Sequence, residues 1–70
     1  DHFWSINELS KRIEESPANA ELYYARALDY MLVQDFGNSI ENFNKAIALD
    51  PRFTLAYFDL AVVYIPSSWS

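Results

Sequence analysis

The sequence predicts an all-α fold of four helices, set as antiparallel pairs and stacked side by side in a short solenoid. Three observations predict it. The first is an internal register: Pro17 and Pro51 stand 34 residues apart, and at that offset Asp1 returns as Asp35, Ser5 as Ser39, Ile6 as Ile40, Lys11 as Lys45 and Ile13 as Ile47. Further on Tyr23 returns as Tyr57, Ala27 as Ala61 and Tyr30 as Tyr64, while Tyr24 becomes Phe58 and Leu28 becomes Val62. A single period held without insertion is the mark of stacked repeats, each unit burying its apolar face on the next. The second is apolar spacing at i, i+3 or i+4, and i+7 in every segment, which is helical. The third is that proline ends the odd-numbered segments at the same place in each period.

The first helix is expected over residues 1–16. Asp1 is placed to cap it, Ile6, Leu9 and Ile13 form its stripe, and Glu8, Lys11, Glu14 and Glu15 face water. Ser16–Pro17 ends it, and His2, Phe3 and Trp4 sit on its first turn, where they are free to meet whatever precedes. Asn19 caps a second helix over residues 20–34 with two apolar faces, Tyr23, Ala27, Tyr30 and, one residue round, Tyr24, Leu28, Met31. A helix apolar on two sides must touch two things. Asp35-Phe36-Gly37-Asn38 reads as the turn, with Gly37 in it and Asp35 capping a third helix over about 36–49. Its stripe is Ile40, Phe43 and Ile47, with Ala46 between; Asn42, Asn44 and Lys45 are expected largely off it. After Asp50–Pro51 the fourth helix runs from Phe53 to Ile65, repeating both faces of the second as Tyr57, Ala61, Tyr64 and Phe58, Val62, Ile65. Pro66 closes it, Ser67–Ser70 is polar apart from Trp69, and the helix that should pair with the fourth does not follow.

Composition narrows the function. Apolar residues make up 51% of the 70 residues and aromatics 17%, more than so short a chain hides easily, so an exposed apolar end is expected. The net charge of −5, with both signs interspersed, argues against a nucleic-acid or anionic-membrane partner, since either needs a basic stripe. There is no cysteine, hence no disulfide framework or thiolate chemistry, and no apolar run approaches the ~18 residues of a membrane span. No signal peptide opens the chain and its compartment is left open.

The motif Tyr23-x2-Arg26-Ala27-x2-Tyr30, then Ser39-x3-Phe43-x2-Ala46, then Pro51, resembles the tetratricopeptide repeat, with W-x2-L-G-x2-Y, A-x3-F and P over 34 residues. Tyr57-x2-Leu60-Ala61-x2-Tyr64 opens a further copy, and residues 1–17 resemble the second helix of a preceding one. The resemblance divides one domain, 1–70, into half a repeat (1–17), a whole repeat (18–51), half a repeat (52–66) and a tail (67–70). Tyr stands for Trp, Ala for Gly, Arg26 for Leu and Ser39 for Ala. Ala27 and Ala61 are the small residues expected to let paired helices close up, with Tyr30, Phe43 and Tyr64 filling the space beside them. The resemblance implies a right-handed α–α superhelix.

Catalysis is not expected. His2 is the sole histidine, and Asp29, Asp35, Asp50 and Asp59 read as a solvated residue, two turn or cap residues and a rim charge. Gly37 alone makes no phosphate loop, and no metal or cofactor is implied. A related repeat class reads RNA bases, but its period is longer and basic groove residues are lacking here. Recognition of protein remains. The resemblance implies a concave face lined by the first helix of each pair: Glu21, Tyr24, Leu28, Met31 and Leu32, then Leu55, Phe58, Asp59, Val62 and Ile65. The Lys and Asn with which chaperone-binding members clamp a terminal carboxylate are replaced by Tyr24, Leu28, Phe58 and Val62, so an apolar or aromatic ligand fits better, with Tyr24, Met31 and Phe58 as anchors. The expected function is thus a non-catalytic protein-binding module within a longer scaffold. Two alternatives stay open: that Tyr24, Leu28 and Met31 touch only a neighbouring helix, and that helix 53–66 closes a homodimer.

Overall fold

The structure is a computed structural model that describes residues 1–64. Among them are four α-helices and no strand: α1 (His2–Glu15), α2 (Ala20–Leu32), α3 (Phe36–Leu49) and α4 (Thr54–Tyr64). The expected ends of the fourth segment at Ile65 and Pro66, and Trp69 beyond, lie outside the described residues.

Each boundary has a local cause. Asp1 accepts from the amides of Phe3 and Trp4, Asn19 from Glu21 and Asp35 from Asn38, so three helices start on the side-chain caps the sequence offered. Ser16 and Asp50, each before a proline, leave the helical region with φ −138° and −137°. α2 ends two residues earlier than expected. Gln34 adopts φ 64°, and the Gln34 and Asp35 amides donate back to the carbonyls of Met31 (3.0 Å) and Tyr30 (2.9 Å). This double closure satisfies two end carbonyls through one left-handed residue. The left-handed position is therefore Gln34, and Gly37, expected in the turn, lies in the first turn of α3 without a positive φ.

Neighbouring helices run antiparallel. Between α2 and α3, Ala27 O accepts from Ser39 Oγ (3.0 Å) while Arg26 Nε donates to Asn42 Oδ1 (2.7 Å), so partners advance along one helix as they retreat along the other. The core is Ile13, Tyr23, Ala27, Phe43, Ala46 and Ala56, with Phe43, Ala27, Ala46 and Ala56 fully enclosed. Burying a residue of Phe43's size contributes roughly 1.5–3 kcal/mol. The small side chains around it set how closely the helices approach.

Three further expectations need correction. Asn42, placed off the α3 stripe, is 4% exposed; its amide donates to Asn38 O (2.8 Å) and its oxygen accepts from Arg26, so burial leaves no polar atom unpaired. Asp29 is not merely solvated: it accepts from Ser5 Oγ (2.5 Å) and faces His2 Nδ1 (3.2 Å), tying α2 to α1. Tyr57, Ala61 and Tyr64 are exposed rather than packed, because the surface equivalent to the one α3 gives Tyr23 and Ala27 has no counterpart among the described residues. α4 instead docks on α3 through Ala56, with Phe53, Leu60 and Val63 packed against the core.

Candidate functional site

Leu22, Arg26 and Asp29 on α2 stand 34 residues before Ala56, Leu60 and Val63 on α4. Both sets turn back onto the preceding helix: Arg26 Nη1 donates to Ser10 Oγ (3.1 Å) and Asp29 accepts from Ser5 on α1, as Ala56, Leu60 and Val63 join the core beside α3. That common orientation fixes where the remaining faces of α2 and α4 look. The next face round carries the concave-face candidates from both helices.

The two helices present them differently. On α2, Tyr24, Leu28 and Met31 are half-buried and packed against the core, whereas Glu21 and Leu32 are exposed. On α4, Leu55, Phe58 and Val62 are 60%, 65% and 44% exposed. At i, i+3 and i+7 these three form one continuous apolar stripe along the helix. Asp59 beside them is half-buried, and Ile65 lies outside the described residues.

Tyr24 brings the two groups together. Its ring sits 4.8 Å from that of Phe53 and 5.9 Å from that of Phe43, and its hydroxyl donates to Asp59 Oδ2. The Asp59 hydrogen bond favours the neutral phenol; burial and the carboxylate's charge add to it, pushing the Tyr24 pKa up to about 12. Tyr24 is thus the floor between α2 and α4, and the exposed stripe of α4 is the wall beside it. The face is shallow, with no enclosed cavity among the described residues. Neither three or more acidic, His or Cys groups placed to hold a metal ion nor a helix long and apolar enough to cross a membrane occurs among those residues.

The sequence reading had no place for the Tyr24–Asp59 bond, the Arg26 bridge between α1 and α3, or the docking face of α4. Spacing carries a weak signal for the last: Phe53, Ala56, Leu60 and Val63 recur at helical intervals.

Antiparallel helices repeated in a fixed register define a helical-repeat architecture. The family model described as tetratricopeptide repeat matches residues 20–53 of the chain. Repeats of this family mediate protein–protein interactions and are not catalytic modules. The chain is also 42% identical, over 58 residues, to a protein of rice (Oryza sativa subsp. japonica) described as "Protein SGT1 homolog". That match covers 81% of this chain and 16% of the rice protein, so the chain spans about a sixth of that relative's length. No solved structure matches the chain significantly.

Proposed function

We propose that this chain is a protein-recognition module within a longer scaffold protein, and that it takes an apolar peptide or partner helix on the face shared by α2 and α4. The observation that carries the reading is the stripe of Leu55, Phe58 and Val62, open along two turns beside the fixed Tyr24–Asp59 floor. Large aromatic and aliphatic side chains exposed in a row on a rigid helix are the usual anchors of such contacts. The match to a small part of a longer relative supports the scaffold setting. The test is calorimetric titration of an amphipathic helical peptide bearing Leu and Phe at i, i+3 and i+7. Wild type is expected to bind and Phe58→Glu to lose binding; equal binding by both rejects the face.

A second reading rests on the other exposed side of α4. Tyr57, Ala61 and Tyr64 correspond to Tyr23, Ala27 and Tyr30, whose small central alanine is fully covered. A surface of that kind on a second copy closes a two-fold interface through α4. Sedimentation distinguishes the two: Ala61→Glu disrupting a dimer supports self-association, and a monomer at all accessible concentrations removes it.

A further inference from the structure

We infer that the occupant of the α2–α4 face is a cationic apolar segment, one with Lys or Arg beside its apolar anchors; the inference rests on the binding reading above. Few charges lie on the two helices that carry the face. α2 carries Glu21, Arg26 and Asp29, and α4 carries Asp59 alone. Arg26 is turned away from the face, its guanidinium spent on Ser10 and Asn42 between α1 and α3. Asp29 is held on the α1 side by Ser5 and His2.

The charges left beside the face are therefore Glu21, exposed, and Asp59, half-buried. Asp59 spends one oxygen on Tyr24, and its second takes no hydrogen bond among the described residues. Lys11 and Arg12 lie on α1 and Lys45 on α3, with Lys45 reaching over the Tyr23 ring at 5.9 Å. Arg52 is exposed in the turn ahead of α4, where its backbone amide donates to Asp50 Oδ1 (3.1 Å), and so stands at one end of the stripe rather than along it. An acidic segment laid on this face meets carboxylates and no cation along the stripe. A second copy of the chain, itself at −5, sets Glu21 and Asp59 against their own kind. A segment carrying ammonium or guanidinium groups meets the Asp59 oxygen that takes no hydrogen bond among the described residues, within an apolar surround where charge pairing is screened less than in open solvent.

The experiment compares two helical peptides with the same Leu/Phe stripe, one flanked by Lys and one by Glu, titrated calorimetrically onto the full chain at low and physiological salt. The Lys peptide is expected to bind about threefold to tenfold tighter at low salt, the gap shrinking with added salt. The gap is also expected to shrink in Glu21→Gln and in Asp59→Asn, which keeps an oxygen for the Tyr24 hydroxyl. Equal binding of both peptides, or tighter binding of the Glu peptide, overturns the cationic partner and leaves the apolar face standing. Binding of neither peptide overturns both. A dimer that Phe58→Glu dissociates assigns the face to a second copy and also overturns the inference.

Discussion

Gln34 and Gly37 occupy each other's natural places. Gln34 holds φ 64° at the end of α2, where a side chain costs steric energy that glycine avoids. Gly37 sits inside α3, and a Cβ added to it meets nothing within 4 Å. Gln34→Gly and Gly37→Ala are each expected to raise stability by up to about 1 kcal/mol, read as a higher melting temperature. A fall in Gln34→Gly contradicts the left-handed closure of α2, and a fall in Gly37→Ala contradicts the open space beside Gly37 in α3. Tyr24 makes a different prediction at this scale. Its pKa is raised from 10.0 to about 12, so its bond to Asp59 contributes fully below pH 10 and is lost as pH rises towards 12. A tyrosinate absorbance titration of wild type minus Tyr24→Phe is expected to show one phenol ionising near the upper end of that window. Ionisation at the ordinary value means that the contact with Asp59 does not form in solution.

α2 and α4 are the same element in two settings, and the comparison explains what periodicity revealed and what it hid. Each has a face towards the preceding helix and one towards the candidate site; a third is covered by α3 on α2 and is exposed on α4. On α2 the backward face is polar, with Arg26 and Asp29 reaching Ser10 and Ser5, so a search for apolar stripes passes over it. On α4 the same face is Ala56, Leu60 and Val63, but Tyr57, Phe58, Ala61, Val62 and Tyr64 surround it, and a helix apolar on every side offers no contrast to read. Helix number, caps, proline stops and the Tyr23–Ala27 face were legible because each is a local signal with one physical meaning. Which side of α4 is covered depends on which neighbour is present, and no window of sequence contains that. The Ala27 contact tests the pair packing directly. Ala27 is fully buried under α3 and its carbonyl accepts from Ser39, so Ala27→Leu is expected to overpack the interface and cost about 1–3 kcal/mol. An unchanged denaturation midpoint means that the helices do not close up there.

The molecule as a whole is a slab, with Cα extents of 39 × 29 × 15 Å, as helices laid side by side must be. A slab encloses few residues for its length: the buried apolar set is Ile6, Ile13, Tyr23, Ala27, Phe43, Ala46 and Ala56 among the described residues. Stability is thus concentrated at the α2–α3 pair, and the open side of α4, which carries little of it, is the side proposed to meet other molecules. The separation of the two tasks is the central claim, and thermal unfolding of Phe43→Ala and Phe58→Glu, with peptide titration of the folded variants, tests it most directly. The account predicts that Phe43→Ala loses about 3–5 kcal/mol of stability, whereas Phe58→Glu melts within about 0.5 kcal/mol of wild type and no longer binds the apolar peptide. A Phe58→Glu chain that unfolds as readily as Phe43→Ala, or one that still binds as wild type does, contradicts it.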